Sequence, residues 1–364
     1  MKIAFYGSSL LSAYWNGAAT YYRGLLRELA ARGHHVVFYE PDAFDRQKHR
    51  DIDPPDWAEV VVYEATPDAL GHVVAEAAEA DVVVKASGVG VFDDELLTGV
   101  MAAADPRALK VFWDVDAPAT LAEITPQPDH PLRRALPQLD FVLTYGGGPP
   151  VIDAYQALGA RVCRPIYNAL DPTTHHPVAP VPRYTRDLNF LANRLPDRER
   201  RVEQFFLDAA ARLPDRSFLL GGNGWDDKPM PGNVERVGHV GTGQHNAFNG
   251  SPLAVLNVAR DSMAQVGFSP ATRVFEAAGA GGCLITDAWE GLELFLEPGE
   301  EVLVARDGQD VAEHMAALSV ERARQIGEAA RRRVLAEHTY ERRATAVDAL
   351  LRRAFEAKRE RSLA

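Results

Sequence analysis

Cysteine is scarce: Cys163 and Cys283 are the only two in 364 residues. Both stand in apolar, strand-like surroundings in different halves of the chain, so no disulfide framework is expected, and they read as buried thiols of a reducing cytoplasm. Long apolar runs are missing as well. No window approaches eighteen consecutive apolar residues, which excludes a membrane-spanning helix. Basic charge is in deficit, 39 Lys+Arg against 51 Asp+Glu, for a formal net charge of −12. That balance speaks against nucleic acid or an anionic membrane as the main partner. No Gly-x-Gly-x-x-Gly follows the first strand, which weakens a nicotinamide reading. The His-His pairs at 34–35 and 175–176 have no Cys or His partners at ligand spacing, so neither a metal nor a cofactor is expected. The chain opens on the strand-like Lys2–Tyr6 without a charged leader, so no secretory signal and a cytoplasmic location are expected.

Short apolar strands alternate with helical stretches along the chain. In the first half the strands are expected at Lys2–Tyr6, Val36–Tyr39, Val60–Tyr63, Val82–Lys85, Leu109–Trp113, Phe141–Tyr145 and Arg161–Arg164. This is the βαβ rhythm of a mostly parallel sheet covered on both faces. It breaks at residues 165–182, where five prolines cluster, and it resumes from Leu188 with a helix expected over Asp197–Arg212. The length suits two domains. The expected boundaries are a Rossmann-like domain over 1–167, a linker over 168–182, a second Rossmann-like domain over 183–338 and a C-terminal helix over 339–364. The basic tail reads as a solvated helix face.

The most informative stretch is Gly-Phe-Ser-Pro-Ala-Thr-Arg-Val-Phe-Glu-Ala-Ala-Gly-Ala-Gly-Gly-Cys-Leu-Ile-Thr-Asp at 267–287. Ser269 is a suitable N-cap and Pro270 a suitable first helical residue, which aims the N–H groups of Ala271, Thr272 and Arg273 at one point. An anion such as a diphosphate fits there, helped by the helix dipole (roughly 0.3–1 kcal/mol per exposed contribution) and by Arg273 if it turns inward. Glu276, about one turn later, is placed to accept hydrogen bonds from a ribose diol at roughly 1.5–3 kcal/mol each. The competing reading is an ordinary capped helix with Glu276 on its wet face.

This stretch, with Gly-Leu-Glu-Leu-Phe (291–295), Pro-Gly-Glu-Glu-Val-Leu-Val (298–304) and His-Thr-Tyr-Glu-Arg-Arg (338–343), resembles the C-terminal half of CgeB-like glycosyltransferases of the GT-B fold. The resemblance implies two facing Rossmann-like, doubly wound α/β domains, the first on the acceptor side and the second binding a nucleotide-sugar donor, with the last helix crossing back to the first domain. It places Glu276 on the nucleotide ribose, the helix at 270–273 on the diphosphate, and the loop at Gly238 and His239 beside the nucleobase. Retaining enzymes of this wider group usually carry a second glutamate eight positions earlier; here that position is Phe268, with Asp261 just upstream as a substitute.

Other candidates end strands on the same expected sheet edge. Asp114 and Asp116 are candidate general bases for an acceptor hydroxyl, Asp116 preferred because it lies further past the strand, with loop-capping aspartates as the alternative. Gly7, Asn16, Gly17, Lys85, Gly146 and Gly147 are expected to line a cleft. Arg194 or Arg198 is expected to help neutralise the diphosphate. The leading expectation is a cytoplasmic, metal-independent glycosyltransferase (hexosyltransferase-like) acting on a small-molecule or glycan acceptor. A nucleotide-sugar epimerase and a non-catalytic sugar-nucleotide-binding protein remain as alternatives.

Overall fold

The computed structural model describes residues 1–363, so residue 364 of the expected last helix lies outside the described residues. The chain divides into two compact units, Met1–Tyr167 together with the chain from Tyr340 onward, and Asn168–Thr339.

In the first unit β1 (Lys2–Tyr6), β2 (His35–Asp42), β3 (Ala58–Glu64), β4 (Val82–Ala86), β5 (Leu109–Asp114), β6 (Phe141–Thr144) and β7 (Cys163–Pro165) form one sheet. Their order is β3-β2-β1-β4-β5-β6-β7, and every pairing is parallel. Strands such as Val82-Val-Val read as continuous apolar runs because both sheet faces are covered. The covering helices are α1 (Ala19–Ala31), α2 (Pro67–Ala75), α3 (Asp93–Ala103), α4 (Ala117–Ile124), α5 (Pro131–Ala135) and α6 (Gly148–Ala157). The chain fills one side of β1 with β2 and β3, then returns to the other side at β4. Loops that follow β1 and β4 therefore flank the switch point where such sheets bind ligands.

In the second unit β8 (Leu188–Leu191), β9 (Phe218–Gly221), β10 (Val234–Gly238), β11 (Ala254–Asn257), β12 (Leu284–Asp287) and β13 (Leu303–Ala305) order as β10-β9-β8-β11-β12-β13. All are again parallel. Its helices are α7 (Pro196–Val202), α8 (Asp208–Arg212), α9 (His245–Gly250), α10 (Asp261–Val266), α11 (Thr272–Gly279), α12 (Gly308–Ala317) and α13 (Val320–Glu337). The single helix expected over 197–212 is interrupted by a π turn at Glu203–Leu207, which seats Phe205 and Phe206 in the core.

Two segments differ from a simple reading of composition. The proline-rich stretch expected as a linker is in its first part packed structure: Asn168, Ala169, Leu170, Asp171 and His175 are all buried. Leu170 lies so close to α11 that a Cβ on Gly279 would sit 2.3 Å from its Cδ1, so a side chain there would displace Leu170. The C-terminal helix, Tyr340–Leu363, packs along α1 in the first unit. His34 Nε2 lies 2.6 Å from Asp348 Oδ1, and Lys358 Nζ lies 2.7 Å from Asp140 Oδ2.

Close approach of that helix requires Gly24, whose Cβ would stand 2.1 Å from the Tyr340 ring. Gly24→Leu is expected to destabilise the protein by about 1–3 kcal/mol or more through overpacking. An unchanged thermal midpoint would show that the helix does not depend on this contact.

Candidate functional site

The turn before α11 is built from two left-handed residues, Gly267 (φ 74°) and Phe268 (φ 48°). Phe268 donates its N–H to the Glu290 carbonyl at 2.7 Å, and its ring fills the space that a side chain on residue 291 would need, so position 291 is glycine. The helix starts later than the sequence suggests. Ser269 is not the N-cap, because its hydroxyl donates back to the Gly267 carbonyl at 2.9 Å. Pro270 is not the first helical residue either; its carbonyl accepts from the buried Asn168 amide at 3.0 Å. Ala271 takes the N-cap position, and Thr272 and Arg273 open the helix.

Arg273 turns inward. Its Nη1 lies 3.1 Å from Glu276 Oε2, one turn on, and 3.4 Å from Asn249 Oδ1. Glu276 is 4% exposed, so it does not lie on a wet helix face. Two histidines complete its surroundings: His175 Nε2 stands 3.6 Å from Oε1 and His245 Nδ1 3.5 Å from Oε2. Burial by itself pushes the Glu276 carboxyl pKa up, but His175 and Arg273, followed by His245, outweigh it and hold the group well below the usual carboxylate range. Burial lowers the His175 pKa despite the nearby carboxylate. His175, His245 and Asn249 belong to this cluster; the sequence offers His175 only as half of a His-His pair without ligand-spaced partners, and it does not point to His245 or Asn249. They lie 101, 31 and 27 positions before Glu276, and nothing in local spacing links them.

The other candidates of this unit are placed apart in role. Arg194 spends its fork on carboxylates, 2.8 Å from Asp227 and 2.7 Å from Glu199, with the Gly224 carbonyl at 3.2 Å. Arg198 lies in the first turn of α7, with Nη1 3.5 Å from the Asn193 carbonyl. Gly238 ends β10 in a left-handed conformation (φ 63°), its carbonyl accepting from Gly222 N–H at 2.7 Å, and His239 beside it is exposed. Asp261 pairs with Arg200 at 3.2 Å and Arg201 at 3.6 Å.

In the first unit, Asp114 cannot act on an acceptor, which corrects its place among the base candidates. It is fully buried at the end of β5 and accepts from Ser87 Oγ (2.8 Å), Asp116 N–H (2.9 Å), Thr120 Oγ1 (3.0 Å) and Tyr155 OH (2.5 Å). Asp116 is partly exposed at the N-cap of α4. Asn16 is likewise a brace: its amide donates to the Ser9 and Ser12 carbonyls at 2.8 and 2.9 Å. Gly7 is packed, since its Cβ would stand 2.6 Å from Phe38, while Gly17 borders open space. Gly146 offers its carbonyl to Thr144 Oγ1 at 2.9 Å, and Gly147 (φ 95°) caps α6. Lys85 pairs with Asp93 at 2.5 Å on the wall of a cavity of about 410 Å³ that also includes Ser87, Thr120, Glu123 and His130.

Residues 198–349 match a family model described as glycosyl transferase-like. None of the curated proteins compared with the chain matches it in sequence. Among solved structures, sucrose-phosphate synthase from Thermosynechococcus elongatus aligns at 18% identity and TM-score 0.70, over 98% of this chain and 100% of that one. The chain has the GT-B fold. HepE from Anabaena, in complex with UDP-glucose, aligns at 15% identity and TM-score 0.67 over 96% of this chain and 99% of its own. An alpha-glucosyltransferase in complex with UDP-glucose and DNA containing an abasic site aligns at 11% identity and TM-score 0.69, over 96% and 98%. Among the described residues no helix is long and apolar enough to cross a membrane.

Asp114→Ala removes the shared acceptor of four donors, and each buried group left unpaired costs about 1–3 kcal/mol. The variant is expected to melt markedly earlier than wild type. Retention of the wild-type denaturation midpoint would contradict the structural role assigned to this carboxylate.

Proposed function

We propose that the protein is a glycosyltransferase that moves a sugar from a nucleoside-diphosphate sugar, a UDP-sugar foremost, to a hydroxyl-bearing acceptor. The observation that carries this reading is the inward-turned Arg273–Glu276 pair on α11, at 3.1 Å, inside a GT-B fold whose matching region is glycosyl transferase-like. Support for the uridine donor comes from HepE and the alpha-glucosyltransferase, whose structures contain UDP-glucose. Membership of the CgeB-like subgroup rests on the motifs at 267–287, 291–295, 298–304 and 338–343.

In this mechanism the acceptor oxygen attacks the anomeric carbon, the bond from that carbon to the phosphate oxygen breaks, and the nucleoside diphosphate leaves with the electron pair. Arg273 and the N–H groups at the start of α11 stabilise that diphosphate, so the transfer itself calls for no divalent metal. Glu276 accepts hydrogen bonds from the ribose diol. Asp116 takes the acceptor proton as general base. Gly238 and His239 meet the nucleobase. With Arg194 held by Glu199 and Asp227, Arg273 is the arginine assigned to the phosphates.

Thermal stabilisation by UDP, GDP, dTDP and ADP tests the donor site. One diphosphate should raise the melting temperature, and Glu276→Ala should weaken its binding tenfold or more; equal affinity in the variant removes Glu276 from the ribose. Asp116→Asn should lower turnover by about 10²-fold or more while donor affinity stays unchanged, the range of general-base catalysis. Full turnover in that variant would transfer the base role to another group.

A further inference from the structure

The cluster around Glu276 contains more than a ribose contact needs. Two imidazoles converge on one carboxylate, and the hydrogen bonds on their far sides fix which nitrogen faces it. His245 Nε2 approaches the Val240 carbonyl at 3.3 Å. A carbonyl only accepts, so Nε2 carries a proton and Nδ1 is the nitrogen turned to Glu276. His175 Nδ1 is engaged by the Thr174 hydroxyl at 2.9 Å, and that hydroxyl also lies 3.3 Å from the Asp171 carbonyl. That leaves His175 Nε2 facing Glu276 at 3.6 Å. Neither His175 Nε2 nor His245 Nδ1 has a hydrogen-bond partner, and His175 is 2% exposed.

Two imidazole nitrogens without hydrogen-bond partners and an anionic carboxylate aimed at one point are a donor set for a divalent cation, which binds as the rings give up any proton on those nitrogens. The three ligand atoms lie within 4.8 Å of one another, and each imidazole nitrogen is 3.5–3.6 Å from its carboxylate oxygen. Zinc bonds of about 2.0–2.2 Å in a tetrahedron put neighbouring ligand atoms about 3.3–3.5 Å apart, the spacing each imidazole nitrogen already has to its carboxylate oxygen. The far-side hydrogen bonds, to a backbone carbonyl and a hydroxyl, are the kind that orient metal-bound histidines.

We propose that His175, His245 and Glu276 form a binding site for a divalent transition cation of the zinc type, with a fourth position open. The chemistry of the donors sets its selectivity. Two imidazoles and one carboxylate suit Zn²⁺, and magnesium or calcium would require a shell of oxygens that the cluster does not offer. Arg273, 3.1 Å from Glu276 Oε2, opposes any cation and strengthens this discrimination, because the attraction that remains comes from nitrogen ligation. The buried thiols do not compete: Cys163 and Cys283, at 4% and 3% exposure, have pKa values pushed up to about 12 by burial. The site takes no part in the transfer chemistry and does not rest on the donor reading. It shares only the carboxylate with it.

The test is equilibrium dialysis of tag-free, chelator-treated protein against Zn²⁺ in the absence of nucleotide, repeated with Mg²⁺. Wild type should hold one equivalent of zinc and no magnesium. His245→Gln and, separately, Glu276→Gln should bind zinc at least tenfold more weakly, with circular dichroism and metal-free melting confirming that each is folded. Replacement by Co²⁺ should give visible d–d bands of a four- or five-coordinate site in wild type and lose them in both variants. Absence of saturable zinc uptake by wild type, or uptake unchanged in both folded variants, overturns the proposal. Since nucleotide affinity is read separately, failure of the metal site leaves the donor assignment standing, and failure of the donor assignment leaves the metal result intact.

Discussion

Buried carboxylates at the C-terminal ends of parallel strands are the constraint on which both functional edges depend. Glu40 in β2, Asp114 at the end of β5 and Asp287 at the end of β12 are all fully buried. A buried anion is tolerated only when its lone pairs are taken up. Here the partners come from the loops that follow neighbouring strands. Glu40 accepts from Ser9 Oγ (2.9 Å) and Leu10 N–H (2.6 Å) and so folds the loop after β1 against β2. Asp287 receives Arg201 at 2.5 Å and the Ala259 N–H at 3.1 Å, tying α7 and the loop after β11 to β12. In each case the cost of burying charge is offset only if the loop adopts one geometry, which is how a loop at a sheet edge becomes a rigid wall.

Glu276 follows the same physics with a different outcome. Its partners are Arg273 and two imidazoles, and the hydrogen bond that each imidazole makes on its far side leaves a bare nitrogen toward the carboxylate. Asp114 is satisfied and therefore inert. Glu276 is enclosed beside two imidazole nitrogens that lack hydrogen-bond partners, the condition in which a buried cluster is poised to take a ligand.

Much of the fold was legible because parallel strands buried on both faces appear as apolar runs, such as Val82-Val-Val, separated by amphipathic helices. Local chemistry misled where a competing partner existed. Ser269 and Pro270 carry the residue types of a helix start, yet the serine hydroxyl is used inside the turn by Gly267, and the helix begins at Thr272. Proline content at 165–182 suggested a linker, but proline limits backbone hydrogen bonding without preventing burial, and Leu170 packs against Gly279. Asp116 was preferred to Asp114 from sequence for lying further past the strand, and the structure separates them in that sense: β5 ends on Asp114, which is sealed in, while Asp116 caps α4. The meeting of the imidazoles at 175 and 245 was not legible, and the pair at 175–176 was set aside as a ligand, because that meeting depends on Asn168 and Leu170 anchoring the chain against the turn before α11 and residue 338.

Arg273 concentrates the remaining tension. Its guanidinium has five N–H donors in a fixed fork and cannot lose its charge. One terminal nitrogen already serves Glu276 and Asn249, while Nε is buried without a hydrogen-bond partner. A diphosphate at the start of α11 would supply the missing acceptor without requiring the ion pair to break, so phosphate and ribose recognition would be coupled through a single side chain. Loss of the Glu276 charge would then act twice, once by removing an acceptor for the ribose and once by releasing the arginine that addresses the phosphates. Lysine, a point charge on a flexible stem, could replace the charge at this position but not the fork that divides it between two directions.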